Sequence, residues 1–165
     1  MPSKYIIRNF SENSNYHVFN RGVNKQDVFL DEKDYFFFET YLSIYLLPFR
    51  EVLKKYPDVP QRLYNKNLSK EVELLEYCLM PSHFHLILRQ KTKNGISKLM
   101  KQMINAYTLY FNQKHQRNGG LMQGRFKAVQ ITDDLISSAE FERFHIDDKD
   151  YSKELEQIKH LSRNQ

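Results

Sequence analysis

The chain has 165 residues, of which 41% are hydrophobic and 14% aromatic, which excludes a disordered composition and fits one domain with a sizeable core. Its net charge of +5 is compatible with a nucleic-acid partner but does not require one. With no apolar run of the roughly 18 residues that a membrane span needs, no secretory leader and a single cysteine, we expect a cytoplasmic protein.

The first third of the chain predicts one strand and one long helix. Residues 16–20 alternate with period two, which is typical of a strand. Asp31 can cap a helix over residues 32–47, whose apolar side chains share one face. A shorter helical segment ending near Tyr56 and an exposed loop over residues 57–70 follow.

A tight antiparallel hairpin is predicted next, from strands over residues 72–80 and 82–89 that are almost adjacent in sequence. Because these two strands are the most apolar pair, we expect the hairpin to lie centrally in the sheet. Its second strand carries His83 and His85, which project from the same side and lie ~7 Å apart along the backbone. Two such imidazoles can bind one metal ion, although satisfied core or surface histidines are the plainer interpretation.

The remaining elements complete an α+β pattern. Apolar residues from 96 to 111 follow helical spacing without a gap, residues 125–131 predict a fourth strand, and helices are predicted over residues 135–145 and 151–161. This order predicts a ferredoxin-like antiparallel sheet of four to five strands with helices packed on one face. The histidines then point either at these helices or at the open face.

Four segments, taken in order, resemble the single-tyrosine HUH transposases, specifically the REP-associated tyrosine transposases. The segments are YHVFNRG at 16–22, YCLMPSHFHL at 77–86, YTLYFN at 107–112 and QGRFK at 123–127. The resemblance is strongest over residues 14–131 of a single domain spanning 1–165, and residues 132–165 form a diverged tail. It favours the metal-site interpretation of the two histidines.

The resemblance implies a metal-dependent endonuclease and strand transferase that acts on hairpin-forming single-stranded DNA. Magnesium or manganese is held by His83, His85 and a third polar ligand. A tyrosine hydroxyl attacks the scissile phosphate, leaving a 5′-phosphotyrosine and a free 3′-hydroxyl. Relatives occur as monomers or homodimers, and no membrane partner is implied.

Six residues are candidate DNA contacts under this resemblance. Four basic side chains can bind the phosphate backbone: Lys98, Lys101, Arg125 and Lys127. Asn20 and Arg21 match a strongly marked family segment and either read bases or brace the edge of the sheet. The acid-free helical stripe that contains Lys98 and Lys101 is also compatible with an ordinary solvated face.

The chain departs from the family at the expected nucleophile. Phe144 stands where the family has its tyrosine, and phenylalanine lacks the oxygen that attacks phosphorus. The Asn-Pro pair that follows in the family is absent. Asp148, four residues past Phe144, has the spacing of the third metal ligand, with His145 and Asp147 as neighbouring alternatives. The same three residues are equally compatible with a solvated acidic turn between helices.

Three explanations of this departure remain open. The chain is a nucleophile-less form that still binds DNA, or its tail has diverged so that Tyr151 now attacks, or the local alignment is wrong. Tyr151 is the only tyrosine after the fourth strand, although a tyrosine at the start of a polar helix is also typical of an ordinary surface residue. The functional alternative is therefore a catalytically defective hairpin-binding protein on the same scaffold. An RNA-binding ferredoxin-like domain is disfavoured because no RNP-type strand is found.

Overall fold

The computed structural model describes residues 10–131, and within them four strands form one antiparallel sheet. The strands are β1 Ser14–Arg21, β2 Val72–Met80, β3 His83–Gln90 and β4 Lys127–Ile131. Their order across the sheet is β2-β3-β1-β4, the ferredoxin-like arrangement. The predicted α+β, ferredoxin-like class is confirmed.

Four helices connect these strands. They are α1 Glu32–Leu46, α2 Phe49–Lys55, α3 Gln61–Tyr64 and α4 Gly95–His115, with a short 3₁₀ turn at Val23–Lys25. Asp31 caps α1 by accepting a hydrogen bond from the Asp34 N–H, as predicted. None of these described helices is long and apolar enough to cross a membrane.

Three details differ from the sequence-based expectation. The hairpin is present, but β2 lies at an edge, and β1 takes the central position beside β3. The reason is burial: β1 is buried along most of its length, whereas the middle of β2 is exposed and interrupted by a bulge between Leu74 and Glu76. Residues 57–70 contain the single turn of α3, and β4 begins at Lys127 rather than Arg125. The helices predicted after residue 131 lie outside the described residues.

The two faces of the sheet have different roles. The face that carries Tyr16, Val18, Phe84, Leu86 and Leu88 packs against α1 and α4 and forms the hydrophobic core. The rings of Phe38 on α1 and Phe84 on β3, for example, lie 5.3 Å apart. Because neighbours along a strand alternate between faces, the odd-numbered residues of β1 and β3 occupy the opposite face.

A buried carboxylate joins the start of α1 to the end of α4. Asp34 has 0% exposure and accepts hydrogen bonds from the Leu30 N–H, the Tyr110 hydroxyl, Lys114 Nζ and His115 Nε2. Burial alone would raise the pKa of this carboxyl, but the bonds from Lys114, Leu30 and Tyr110 outweigh it and lower the pKa. The ionised carboxylate therefore stabilises the contact between the two helices.

Replacing Asp34 by asparagine should lower the free energy of unfolding by about 1.5–3 kcal/mol at pH 7, the range for hydrogen bonds to a charged group. Since the folded pKa is depressed, this stabilisation is present above the unfolded pKa of about 3.9 and is lost as pH falls through the folded pKa. Urea unfolding at pH 7 and pH 3 should show the difference between wild type and Asp34→Asn shrinking at low pH. The exposed Asp58→Asn is the control, and an equal loss in both variants would contradict the role of Asp34.

Gly22 follows β1 where the chain turns back on itself. A Cβ there would contact the Gln26 carbonyl oxygen and lie 2.8 Å from Val28 Cγ1, so the backbone could not stay in place. We expect Gly22→Ala to cost about 1–3 kcal/mol of unfolding free energy in denaturant titrations. Gly120→Ala is the matched control, because a Cβ at Gly120 meets nothing within 4 Å. Equal stability of the two variants would show that the turn relaxes freely.

Candidate metal and nucleic-acid site

His83 and His85 lie on the sheet face opposite the one that packs against α1 and α4; we call it the histidine face. In β3, Phe84 between them points into the core against Phe38, so alternation directs both imidazoles the other way. Cross-strand neighbours share a face, and the register pairs His83 with Arg21 and His85 with Phe19 on β1. The histidines therefore point away from the described helices.

The two imidazoles lie side by side and are nearly perpendicular. Their ring centroids are 5.0 Å apart, with an interplanar angle of 89°. Metal–nitrogen bonds of ~2 Å place the centroids of two rings around one ion about 5 Å apart, so this spacing fits a shared cation. His85 is 5% exposed, and the Nε2 atoms of both rings are buried. The predicted adjacency of the two rings is present.

The Nδ1 atom of each ring is engaged within the protein. His85 Nδ1 lies 2.9 Å from Nε2 of His17 on β1, and His83 Nδ1 lies 3.1 Å from Ser82 Oγ. A neutral imidazole that uses one nitrogen as a donor presents a lone pair at the other. Nε2 is therefore the nitrogen through which each histidine would bind a metal ion.

His17 was not among the residues that the sequence singled out. It occupies the histidine face two residues before Phe19, and its side chain is 2% exposed. The period-two pattern of β1 places His17 and Phe19 on one face, but only the pairing of β1 with β3 brings that face beside His85. The sequence therefore indicated which face His17 occupies, but it did not indicate that His17 lies beside His85.

The described residues supply two candidate imidazole ligands for a metal, not a complete set. Within residues 10–131, no group of three His, Cys, Asp or Glu side chains could hold an ion. Two imidazoles with oxygen or water ligands nonetheless suit divalent cations. The predicted third ligand, Asp148, and the two candidate nucleophile positions, Phe144 and Tyr151, lie outside the described residues.

Arg21 and Lys127 flank the histidines on the histidine face. Arg21 pairs with His83 across β1 and β3, and Lys127 pairs with Phe19 across β1 and β4, so both basic residues share the face of the imidazoles. Arg21 is exposed, and its Nε donates to Gln123 Oε1 at 2.8 Å. The two cations can therefore attract phosphate groups close to the two imidazoles.

Asn20 points to the other face and braces a loop. It is 2% exposed, its Nδ2 donates to the Gly124 carbonyl at 3.1 Å, and its Oδ1 accepts from the Arg21 N–H. The Gln123 N–H also donates to the Arg21 carbonyl at 2.8 Å. These bonds hold the loop that carries the exposed Arg125 against the end of β1. These contacts brace a loop rather than an edge of the sheet, since β1 lies inside it, and base reading by Asn20 stays a prediction.

The structure does not bring Lys98 and Lys101 to the histidine face. Both lie on α4, which packs on the opposite side of the sheet. Lys98 forms an ion pair with Glu71 at 2.8 Å, and Lys101 is exposed. Contact of these two lysines with DNA stays a prediction, on a surface separate from the imidazoles.

Comparison with models of known protein families assigns the chain to one of them. The profile of the IS200-like transposases matches residues 50–139, just over half of the chain. The chain belongs to the IS200-like transposase family. The match includes the β2-β3 hairpin with both histidines, α4 and β4.

Two solved structures of similar proteins were also found. One is a REP-associated tyrosine transposase bound to a REP hairpin, at 14% identity and a TM-score of 0.43, covering 88% of this chain and 69% of that one. The other is a candidate transposase from Deinococcus radiodurans R1, at 13% identity and a TM-score of 0.39, covering 89% of this chain and 96% of that one. No curated protein matches the chain.

Proposed function

We propose that this member of the IS200-like transposase family cleaves and rejoins hairpin-forming single-stranded DNA with a divalent cation, magnesium or manganese, held by His83 and His85. The observation that carries the proposal is the pair of crossed imidazoles, with centroids 5.0 Å apart, on the sheet face away from α1 and α4. The hairpin substrate rests on the four segments that resemble REP-associated tyrosine transposases.

Each part of the site has a distinct task. A divalent cation, when bound, polarises the scissile phosphate and offsets its negative charge. Arg21 and Lys127 bind phosphates on either side of the imidazoles. The Tyr151 oxygen forms a bond to phosphorus as the bond to the 3′-oxygen breaks; the phenol loses its proton and the 3′-oxygen gains one. The phosphotyrosine keeps the strand available for rejoining, and Asp148 is the proposed third metal ligand.

Four tyrosines of the sheet and of α4 point away from the imidazoles. Tyr16 and Tyr77 occupy the strand face that packs against the helices. Tyr107 is fully buried, donates to the Val28 carbonyl, and has its pKa raised by burial. Burial and the bond to Asp34 raise the pKa of Tyr110 to about 12. None of these four hydroxyls faces the imidazoles. Tyr151 is the candidate because it is the only tyrosine after the fourth strand, the region in which the resemblance places the nucleophile.

A second function is favoured by one residue. Phe144 at the expected nucleophile position is what a protein that binds the hairpin without cutting it would carry. On this alternative, Arg21 and Lys127 still bind the strand, and no covalent intermediate forms. The two functions differ in a single observable, the covalent protein–DNA adduct.

The deciding experiment incubates the full chain with a 5′-labelled and a 3′-labelled hairpin strand, with Mn²⁺ or with EDTA. Cleavage through a 5′-phosphotyrosine should give an adduct on a denaturing gel that carries only the 3′-side label and forms only with Mn²⁺. A band shift on a native gel without any adduct would support the binding-only function. Neither adduct nor shift would contradict both.

A salt titration of binding should locate the DNA path. Arg21→Gln and Lys101→Gln each remove one positive charge, the first beside the imidazoles and the second on α4. Losing one phosphate contact to a single strand reduces the slope of log K against log salt by about 0.7. We expect this change for Arg21→Gln and little change for Lys101→Gln. Equal changes would place α4 on the DNA path as well.

A further inference from the structure

We propose that His17 is a positioning residue for the metal ligand His85: it accepts a hydrogen bond from His85 Nδ1–H and so holds the tautomer whose Nε2 lone pair binds the cation. The inference rests on the proposed metal site. The inference gives β1 a role in orienting a metal ligand of the β2-β3 hairpin. β1 precedes residues 50–139, which the family profile matches.

The contact between the two imidazoles is built into the pairing of the central strands. Phe19 is the direct partner of His85, so His17 is its diagonal neighbour on the same face, a distance that aromatic side chains can bridge. His17 Nε2 and His85 Nδ1 are 2.9 Å apart, and the ring planes differ by 25°. β1 is hydrogen-bonded on both sides, since His17 also pairs with Val129 of β4. Its imidazole therefore stands on a rigid strand.

The chemistry of a neutral imidazole pair allows only one direction for this bond in a metal site. Each neutral ring has one N–H donor and one acceptor nitrogen. If His17 donated, His85 would accept at Nδ1 and carry its proton on Nε2, where it could not bind a cation. If His85 donates from Nδ1, its Nε2 presents a lone pair. Metal-binding histidines commonly donate their second N–H to a neighbouring acceptor, and losing that partner typically costs 10–100-fold in metal affinity or activity.

Burial strengthens the hydrogen bond between His17 and His85. His17 is 2% and His85 5% exposed, so water does not compete freely for Nδ1, and a bond in such surroundings is electrostatically stronger than in water. His83 has a different partner, Ser82 Oγ at 3.1 Å, which lies at the hairpin turn. The imidazole of His85 is thus oriented from the neighbouring strand, and that of His83 from its own hairpin.

Two variants separate orientation from packing. In His17→Gln, Oε1 stands as many bonds from the backbone as Nε2 of histidine, so an acceptor for His85 is retained. In His17→Phe, the ring is retained and the acceptor is lost. We expect Mn²⁺ affinity, measured by titration calorimetry on the full chain, to stay within about threefold of wild type in His17→Gln and to fall about 10–100-fold in His17→Phe.

The tautomer itself can be observed without any metal. Nitrogen-15 spectra of the imidazole side chains of the metal-free wild type should show the proton of His85 on Nδ1. A proton on Nε2 of His85, or equal Mn²⁺ affinities of His17→Phe and wild type, would overturn the positioning role while leaving the metal site intact. Absence of Mn²⁺ binding to the wild type would overturn the metal site and this inference together. Because the tautomer is measured in the wild type, a variant that fails to fold does not remove the test.

Discussion

Replacing His83 and His85 by alanine should abolish metal-dependent cleavage of the hairpin strand while leaving most of the DNA binding. The imidazoles are proposed to hold the cation that polarises the phosphate, an effect worth several kcal/mol, or about 10²–10³-fold in rate for each 3–4 kcal/mol. Arg21 and Lys127, which are proposed to bind the backbone, remain in place. Single-turnover cleavage and native-gel binding with the same labelled strand measure the two effects separately.

The matched control for the histidine variants is Ile87→Val. Ile87 follows His85 on the same face of β3 and is 1% exposed. Its truncation therefore perturbs the strand without removing a proposed metal ligand. It should cost about 0.5–1.5 kcal/mol of stability and leave cleavage near wild type once the protein is folded. Undiminished cleavage by the double alanine variant would show that the reaction does not use these imidazoles.

Tyr151→Phe should eliminate the covalent protein–DNA adduct. The change removes one oxygen, the atom proposed to attack phosphorus, so the adduct should fall below detection and binding should be preserved. Tyr56→Phe makes the same chemical change on the C-terminal side of α2 and should leave the adduct unchanged. Both variants are assayed on denaturing gels with Mn²⁺ and the 3′-side label.

A wild type without a covalent adduct would support the nucleophile-less alternative. If the wild type forms no adduct and Phe144→Tyr acquires one, the family position is intact and the chain has lost its nucleophile there. If Tyr151→Phe still forms an adduct, another group attacks, and peptide mapping of the adduct would identify it. The two variants together therefore decide among the three explanations of Phe144.

The local elements were predictable because they depend on short-range patterns. The gapless apolar spacing of α4, the Asp31 cap of α1 and the short connection of the β2-β3 hairpin each lie within a few residues of sequence. The order of strands in the sheet depends instead on contacts between residues far apart in sequence. Hydrophobicity suggested a central hairpin, but the choice of β1 as the central partner depends on burial along its whole length and on the exposed, bulged middle of β2.

Only the part of the candidate site that lies on a single strand, β3, was predictable from the sequence. His83 and His85 share a face because of the period of a strand, and that part of the prediction needed no knowledge of the fold. His17 is separated from His85 by 68 residues, and only the register of β1 against β3 joins them. The alternation of side chains along β1 places Arg21 on the histidine face and Asn20 on the other, where Asn20 donates to the Gly124 carbonyl.

Anomalous diffraction from crystals of the full chain soaked in Mn²⁺ would test the shared cation most directly. We expect one manganese peak on the histidine face, about 2.2 Å from Nε2 of both His83 and His85, and its loss in the double alanine variant. A manganese peak elsewhere on the protein, with the two imidazoles unbound, would contradict the metal site.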